Sequence, residues 1–482
     1  MELDSIKIFT KSTIRQALEL LDKSGLSTLF VVENNDELIG ILTDGIIRRA
    51  LLKNYVLDDL VNSIMITDYI SFNINSENSE ILNAINDSVK IIPLINEENK
   101  LIDYASINKI KKISISSPVL KGNEQAYVND CLKTNWISSQ GKYVKKFEDQ
   151  FSNYHENYLS LAVSNGTTAL HLALESLNIG LNDEILVPDL TFAASVNSIL
   201  YTGAIPKLID VDPITWNICP TAIRKSINTK TRAIMVVHLY GNPCNMDEII
   251  SIAKEHGLFI IEDCAEALGT FYKGRPVGVF GDVSTFSFYG NKTITTGEGG
   301  MVLFKNEKHY QRGLLLRDHG MSKTKRYWHD IIGYNYRLTN IQAAIGVAQF
   351  EQLNEFVSTK IRIAFSYNKF FSPFNFFQIP EQSSNTINSY WLYTLLVKNN
   401  SPFSRDELME YLSSFGIESR PIFFPIHIMP PYKNFGNKNE LINSTIISNT
   451  GISLPSSVSL TIQEQEYICN TILNFITLKQ KP

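Results

Sequence analysis

The sequence predicts an α/β protein in which a mainly parallel sheet, covered by helices on both faces, follows a small repeated N-terminal module. Three observations lead to this prediction. Apolar strand-like runs alternate with helical stretches after about residue 115, two similar helix–strand–turn–strand–helix segments precede that point, and polar residues stand directly after several apolar runs. With 482 residues, the chain is long enough for two or three domains.

Composition excludes several classes of function. The formal net charge of −5, without a basic excess, argues against a nucleic-acid or anionic-membrane partner. The five cysteines are scattered and show no metal-ligand spacing, so we predict no metal site and a reducing compartment. The start of the chain does not resemble an export signal, and no apolar run reaches about 18 residues. We therefore expect a cytoplasmic protein.

The repeated segment covers residues 1–112. "TIRQALELLDKSGLSTLFVVENNDELIGILTDGIIRRALLKN" reads as helix, strand, turn, strand and helix, and "SEILNAINDSVKIIPLINEENKLIDYASINKIKK" is a weaker copy. This arrangement resembles a pair of CBS domains, modules that often sense adenine nucleotides. In that family a strand-ending Thr is followed three residues later by an Asp that holds the ribose. Here Thr43 is followed by Ile46, and Ser106 by Lys109. We predict either a packing or dimerising module without ligand, or one for a more anionic ligand than plain ribose.

The larger region alternates strands with helices. Its apolar runs include "EILVP", "IPKLIDV", "AIMVVHLYG", "LFIIED" and "VSTFSF". Such alternation predicts a parallel sheet buried on both faces. Because ligands of open α/β sheets bind beyond the carboxyl ends of the strands, we expect the chemistry at those ends.

Two strand ends suit a phosphate and an amine. "LAVSNGTTALHLALESL" places Gly166 and Thr167 at a helix start, which is either an anion site or only a helix cap. "VSTFSFYGNK" reaches Ser287, a second possible phosphate ligand. It then delivers Lys292, which is either a reactive amine or a solvated turn lysine.

Two further strand ends suit a flat ring. "LFIIEDCAEALG" ends on Asp263, which either caps the next helix or faces a cofactor nitrogen, and "VPDLTFAASVNSIL" places Phe192 where it either stacks on a ring or fills the core. Together with the amine and the phosphate ligands, these groups are what pyridoxal phosphate requires. A Walker A loop is excluded, because Asn291 rather than lysine follows Gly290.

From about residue 115 onward, the chain resembles the DegT/DnrJ/EryC1/StrS family of pyridoxal-phosphate sugar aminotransferases. The matching blocks include "SNGTTALHLAL", "HLYGNP", "IEDCAEALG", "FSFYGNKTITTGEGGM" and "GIESRPIFFPIH". The resemblance implies a fold-type I transferase over residues 115–482, with a large cofactor-binding part at about 115–350 and a C-terminal part at about 351–482. "DHGMSKTKRYWH" and "NWISSQG" resemble the perosamine synthase subgroup, which aminates C4 of GDP-4-keto-6-deoxymannose for surface polysaccharides such as O-antigen.

Carried over by position, the resemblance assigns the cofactor site. Lys292 would be the Schiff-base lysine and general acid/base, Asp263 the partner of the ring nitrogen, and Glu266 the contact of the ring hydroxyl. Phe192 would stack on the ring, and the phosphate would be held by Gly166, Thr167 and Ser287. Asn335 of "GYNYR" would reach the phosphate in the neighbouring subunit, which implies a homodimer or a higher homo-oligomer.

The same resemblance implies L-glutamate as amino donor and a nucleotide sugar as acceptor. Residues that this implies for substrate contact are Ser138, His319, His329, Arg337 and Arg420. The cations Lys323, Lys325 and Arg326 either contact the diphosphate or form a solvated face. His329 and His427 either contact substrate or are packed structurally.

Other functions remain open from the sequence. The acceptor is alternatively a UDP- or dTDP-linked 4-keto or 3-keto sugar. A pyridoxamine-dependent dehydratase is disfavoured, because such relatives replace the lysine at position 292. A non-enzymatic sensor or scaffold is disfavoured by the joint presence of Lys292, Asp263 and Ser287.

Overall fold

The structure, a computed structural model, describes residues 3–76, 80–81, 84–86, 89–106 and 113–480. It divides into two compact units. The first comprises Met1–Ile113 with Ser413–Ile417, and the second comprises Ser114–Leu412 with Glu418–Pro482.

The first unit contains two three-stranded sheets that share one pairing pattern. In each sheet the first strand is parallel to the second, the second is antiparallel to the third, and the register shifts near the end of the antiparallel ladder. The sheets are β1 (Lys7–Phe9), β2 (Thr28–Val32) and β3 (Leu38–Thr43), followed by β4 (Phe72–Asn73), β5 (Ile91–Ile95) and β6 (Leu101–Ser106). Thr43 and Ser106 occupy matching positions, opposite Thr28 and Ile91. This duplication is the one that the repeat in the sequence predicts.

Two α-helices pack on the first of these sheets: α1 (Ile14–Ser24) and α2 (Asp44–Leu51). Short 3₁₀ helices span Leu3–Ile6 and Val61–Ser63. Helix α1 begins in a capping box between Thr13 and Gln16 and ends at Gly25, whose φ of 65° is the left-handed conformation that glycine adopts freely. Its buried residues Ile14, Ala17 and Leu21 recur at helical spacing and join the core of this unit.

The second unit alternates strands and helices, as the sequence predicts. Its strands are β7 (Leu159–Val163), β8 (Glu184–Pro188), β9 (Ile205–Ile209), β10 (Thr231–Val237), β11 (Phe259–Asp263), β12 (Phe271–Tyr272), β13 (Arg275–Pro276), β14 (Val283–Ser287), β15 (Gly300–Phe304), β16 (Phe377–Gln378), β17 (Thr386–Ile387), β18 (Tyr393–Val397), β19 (Arg420–Pro421) and β20 (Gly451–Leu454).

Its α-helices are α3 (Glu124–Thr134), α4 (Lys142–Tyr154), α5 (Gly166–Ser176), α6 (Ala193–Tyr201), α7 (Pro220–Ser226), α8 (Met246–His256), α9 (Glu307–Arg317), α10 (Asn340–Glu351), α11 (Leu353–Phe371), α12 (Arg405–Ser414), α13 (Ile442–Thr450) and α14 (Ile462–Gln480). Short 3₁₀ helices span Leu239–Gly241, Ile426–Ile428 and Pro430–Tyr432. No helix in the described part of the chain is both long enough and apolar enough to cross a bilayer.

A seven-stranded sheet in the order β7-β15-β14-β11-β10-β8-β9 forms the centre of the second unit. Strand β15 is antiparallel to both of its neighbours, and the other pairs are parallel. The predicted fold class, a mainly parallel sheet flanked by helices with a smaller C-terminal part, is confirmed. That smaller part contains an antiparallel sheet in the order β16-β18-β20-β19.

Alternate residues of the large sheet face two different helical layers. Val187 and Met235 belong to a core cluster with residues of α5 and α6. Their neighbours Leu186 and Val236 belong to another cluster, together with residues of α8. Both faces of the sheet are therefore buried, which explains why its strands are apolar over most of their length rather than at alternate positions only.

Candidate active site

The carboxyl ends of neighbouring strands in the large sheet carry the polar residues that the sequence singles out. Strand β11 ends at Asp263, β14 ends at Ser287, and β7 ends three residues before Gly166. Lys292 follows β14 after a short turn in which its backbone N–H donates to the Tyr289 carbonyl. The topology thus collects residues that are distant in sequence at one edge of the sheet.

Lys292 points its amine toward two carboxyl groups and one indole. The Nζ atom lies 3.9 Å from Glu266 Oε1 and 3.9 Å from the ring centroid of Trp391. Burial lowers the pKa of Lys292, and the charges of Glu266 and Asp263 oppose that decrease. The solvated-turn interpretation is wrong, because only 13% of the side chain is exposed.

Asp263 is fixed by hydrogen bonds to both carboxylate oxygens. The Ser195 hydroxyl donates to Oδ2 at 2.7 Å, and the Ala265 N–H donates to Oδ1 at 3.1 Å. Burial raises the pKa of this carboxyl group, while these hydrogen bonds and the charge of Lys292 favour its ionised form. The group is therefore a rigid buried acid whose charge depends on a cationic partner.

Glu266 is the second carboxyl group beside the lysine. Burial raises its pKa to about 7, and the nearby lysine charge opposes this increase. The Tyr240 N–H donates to Oε2 at 2.9 Å from a backbone with φ of 52°. A tyrosine in the left-handed region is strained, and such strain is typical of functional sites.

The start of helix α5 and the end of β14 form a narrow cradle. Asn165 caps the helix by accepting from the Thr168 N–H at 2.9 Å, and the first N–H groups of the helix, at Gly166 and Thr167, have no acceptor within it. A Cβ atom at Gly166 would lie 2.8 Å from the Cβ of Ser287. The cap interpretation and the anion-site interpretation are thus compatible, because the cap uses the third N–H only.

Phe192 is an exposed aromatic residue at the start of helix α6. Its side chain is 62% exposed, which excludes the core-filling interpretation, and its ring lies 5.9 Å from that of Phe423. Phe423 stacks in turn on Tyr240 at 5.4 Å, and Tyr240 stacks on Trp391 at 5.7 Å. This row of rings continues from Phe192 to the indole beneath Lys292.

Most of the predicted substrate-binding residues form a second cluster. Arg337 pairs with Asp318 at 2.8 Å, and its guanidinium also contacts Asn335 at 3.0 Å and His319 Nε2 at 3.3 Å. The ring of His329 contacts the His319 carbonyl at 2.8 Å. The sequence did not indicate Asp318, which orients this group from its place just before His319.

The remaining predicted substrate residues lie outside this second cluster. Arg420 pairs with Glu418 at 2.9 Å, and Ser138 is exposed and accepts from the Asn340 N–H through its carbonyl. Lys325 lies over the Trp328 ring at 3.7 Å, and Arg326 lies over Tyr327 at 4.9 Å. The loop is therefore a basic and aromatic surface. Lys323 donates to Gln311 at 2.7 Å.

His427 has a structural role. Its Nδ1 lies 2.7 Å from the buried Asp189, its backbone N–H donates to the same carboxylate, and the Ser444 hydroxyl donates there as well. The carboxylate thus joins the end of β8 to the C-terminal part of the chain. Of the two interpretations of His427, the structure supports the packed one.

A buried hydrogen-bonded pair, His238 and Glu262, lies next to the strand ends that form the site. His238 Nε2 lies 3.1 Å from Glu262, which also accepts the backbone N–H groups of Gly278, Phe280 and Gly281. Because His238 Nδ1 accepts from the Cys244 N–H, Nε2 carries the proton and donates. His238, Glu262 and Cys264 also lie close enough for a metal ion, but the carboxylate oxygens are already bonded to these donors.

In the first repeat, the position at which the sequence comparison placed a ribose-binding acid in other proteins is used for packing. The Thr43 hydroxyl accepts from the Ile46 N–H at 3.2 Å as the cap of α2, and the Ile46 side chain is 8% exposed within the core of the first unit. In the second copy Ser106 ends β6, and Lys109 lies outside the described residues.

Comparison with known proteins matches the large region and the first N-terminal repeat to known families. The sequence profile of the DegT/DnrJ/EryC1/StrS aminotransferase family matches residues 118–473, and that of the CBS domain matches residues 1–53. The chain is 47% identical to the GDP-perosamine synthase of Escherichia coli O157:H7 over 370 residues, which cover 77% of this chain and 100% of that protein. It is 43% identical to the GDP-perosamine synthase of Vibrio cholerae over 363 residues, which cover 75% of this chain and 99% of that protein.

Solved structures show the same architecture. The putative sugar aminotransferase Spr1654 from Streptococcus pneumoniae, in its PMP form, matches with a TM-score of 0.72 and 27% identity, over 77% of this chain and 100% of that chain.

Proposed function

The chain belongs to the DegT/DnrJ/EryC1/StrS aminotransferase family, and from this premise we propose that it transfers an amino group from L-glutamate to the C4 ketone of a GDP-linked 4-keto-6-deoxy sugar. The acceptor that fits best is GDP-4-keto-6-deoxymannose, with GDP-perosamine as product. The observation that carries the proposal is a buried lysine facing two carboxyl groups at the strand ends of a sugar-aminotransferase fold.

The chain is a pyridoxal-phosphate-dependent enzyme, and its residues fit that cofactor. Gly166 and Ser287 approach too closely for any side chain at position 166, which leaves backbone N–H groups free for a phosphate. Phe192 presents an exposed ring beside the site. Asp263 and Lys292 supply the acid and the amine that the ring and the aldehyde require.

When bound, pyridoxal phosphate supplies an aldehyde that accepts the amino group and a ring that stabilises the negative charge left when a substrate carbon loses its proton. Residues of the chain supply the charge stabilisation and the proton transfer. Asp263 holds a buried negative charge, fixed by Ser195, which favours a proton on the ring nitrogen. Lys292 carries protons between carbon atoms when its amine is free, and burial favours the neutral amine that accepts them.

Glu266 completes the acid–base group. Its carboxyl has a pKa near neutrality and lies 3.9 Å from Lys292 Nζ. At that distance the two groups form no direct hydrogen bond, but the charge of each group shifts the pKa of the other. We propose that Glu266 sets the charge around Lys292 and contacts the ring hydroxyl.

The acceptor nucleotide is inferred from the relatives and from the charge of the second cluster. Both relatives reported above are named GDP-perosamine synthases, and 43–47% identity extends over three quarters of the chain. Arg337 and the loop that carries Lys325 and Arg326 supply cations suited to a diphosphate. A UDP- or dTDP-linked keto sugar is the alternative acceptor.

We propose a homodimer with shared sites and a cytoplasmic location. Asn335 is exposed and bonded to Arg337, and the aromatic residues Tyr327 and Trp328 nearby are 77% and 52% exposed. Exposed aromatic residues in such density are typical of interfaces. In this arrangement Asn335 reaches the phosphate site of the second subunit.

Two measurements test the proposal. Borohydride reduction followed by peptide mapping is expected to place the cofactor on Lys292 and on no other lysine, with the second buried lysine, Lys360, as internal control. Amination of a panel of GDP-, UDP- and dTDP-linked 4-keto-6-deoxy sugars with glutamate is expected to favour the GDP sugar. An adduct on Lys360, or preference for another base, contradicts the corresponding part.

A further inference from the structure

Trp391 contacts both the amine of Lys292 and the backbone carbonyl just before that lysine. The indole ring lies 3.9 Å from Lys292 Nζ, and its Nε1–H donates at 2.8 Å to the carbonyl of Asn291, the residue before the lysine. The indole is only 5% exposed. The hydrogen bond to Asn291 therefore fixes the indole relative to the short backbone segment that carries Lys292.

A second buried lysine holds the backbone of Trp391. Lys360 of helix α11 is 2% exposed, and its Nζ donates to the Trp391 carbonyl at 3.1 Å and to the Ser456 carbonyl at 2.9 Å. Burial lowers its pKa to about 8, and in the described part of the chain no carboxylate pairs with it. A buried amine without a counter-charge lowers the stability of the fold relative to an apolar residue at the same position. The presence of Lys360 here therefore indicates a role for its two hydrogen bonds to backbone carbonyls.

The indole is also fixed by stacking. The Tyr240 ring is nearly parallel to it, at 5.7 Å and 10°, and the Tyr240 N–H holds Glu266. The two groups next to Lys292, the indole and the carboxyl of Glu266, thus belong to one packed unit.

We infer that Trp391 is the platform on which the Lys292 ammonium rests whenever that amine is free, and that Lys360 is a positioning residue that fixes the platform. The inference rests on the proposed role of Lys292, whose amine must be released and recaptured in each half of the reaction. The electron-rich face of an indole attracts an ammonium without a fixed direction. The amine can therefore leave and return, which a tight hydrogen-bonded ion pair would hinder.

The platform opposes the effect of burial on Lys292. Burial favours the neutral amine, whereas the indole face and the charges of Glu266 and Asp263 favour the ammonium. Removal of the indole should therefore make Lys292 deprotonate at lower pH.

The test measures acetylation of Lys292 by acetic anhydride against pH, by peptide mapping, in the full-length chain without cofactor. Trp391→Leu is expected to move the midpoint of the profile down by about 0.4–1.5 pH units, and Trp391→Phe by less, because indole is the strongest of the aromatic partners. Phe475→Leu is the matched control, since it removes another aromatic ring beside a lysine amine, that of Lys479, and should leave the Lys292 midpoint unchanged. An unchanged midpoint in Trp391→Leu overturns the platform.

Lys360→Met tests the positioning role in the same assay. It should move the Lys292 midpoint in the same direction as Trp391→Leu, and the double variant should move it no further, because both changes act on one contact. Lys369→Met, on the exposed side of the same helix, is the control.

If Lys360→Met does not fold, Lys360→Gln, which retains a donor, is expected to give a smaller shift in the same direction. A lower melting temperature with an unchanged Lys292 midpoint shows a purely structural lysine and overturns the positioning role. The midpoint does not depend on cofactor binding, so failure of this inference is distinguishable from an adduct mapped to another lysine.

Discussion

Strands β11 and β3, one in each compact unit, both end in a polar residue, and only the end of β11 leaves polar atoms available for a site. Strand β11 ends at Asp263, whose buried carboxylate is held by Ser195 and influenced by the charge of Lys292. Strand β3 ends at Thr43, whose hydroxyl caps the next helix while Ile46 packs into the core. A strand end becomes a site when its polar atoms remain available after the local backbone has been satisfied.

The largest expected effect is at the first of these ends. Asp263→Asn should keep the fold but lower the rate of amino transfer about a thousandfold, because a neutral amide cannot stabilise a positive charge on the cofactor ring. Steady-state kinetics with glutamate measure this effect. Asp282→Asn is the matched control, since Asp282 accepts from the Ile260 N–H at the opposite end of β11. A rate near that of the wild type would show that Asp263 does not serve the ring.

The next effect concerns stability and pH at Glu266. Its pKa is raised to about 7 in the folded chain, so the unfolded chain loses this proton at lower pH, near 4.5. Wild-type stability should therefore fall as pH rises from about 4.5 to 7, and Glu266→Gln should remove that loss, worth on the order of 3 kcal/mol.

Urea unfolding of the cofactor-free chain at pH 5 and pH 8 measures this difference. The advantage of Glu266→Gln over the wild type should be larger at pH 8. An equal difference at both pH values contradicts the raised pKa.

A smaller effect is expected at the second strand end. Ile46→Asp restores the carboxylate of nucleotide-binding CBS domains, but it places that group in an apolar core and should cost about 2–3 kcal/mol of stability. Ile46→Val is the control and should cost about 1 kcal/mol. Urea unfolding measures both, and calorimetry should detect no AMP binding in Ile46→Asp. Tight AMP binding by this variant would show that position 46 faces a ligand cleft.

The last prediction is that adenine nucleotides have no effect on the wild-type chain. Millimolar AMP or ATP should neither raise the melting temperature of the wild-type chain nor change amino transfer by more than about twofold, because a saturating ligand must stabilise the state that it binds. Thermal shift and kinetic assays measure these quantities. A reproducible increase in melting temperature would make the first unit a nucleotide sensor and remove the contrast between the two strand ends.

Sequence pattern was sufficient for the sheet and for the residues at its strand ends. Alternation of apolar runs and helices fixes the parallel strands, and the topology then brings Asp263 and Lys292 to one edge whatever the details of packing. Trp391 and Lys360 were not predicted, because their contacts are made by the C-terminal part of the chain. "SYWLYTLLV" reads only as an apolar strand with a tryptophan before it.

Histidines show the same limit. His427 could not be assigned from the sequence because its partner, Asp189, is 238 residues away along the chain. His238 and Glu262 stand at the ends of neighbouring parallel strands, so strand order could have suggested their contact. Their roles depend on tertiary packing, which residue patterns do not encode locally.

The position of β15 has a consequence for biosynthesis. Strand β7 lies at the edge of the large sheet, and its ladder partner is β15, more than a hundred residues later in the chain. At a translation rate of about 5–20 residues per second, β7 waits on the order of ten seconds for its partner, whereas the β1–β3 sheet closes within the first 43 residues. During synthesis the nascent chain therefore carries a three-stranded sheet whose strands are already paired, followed by a long segment in which β7 still lacks its partner. An unpaired strand can associate with other chains, so we expect chaperone binding to matter most during this interval.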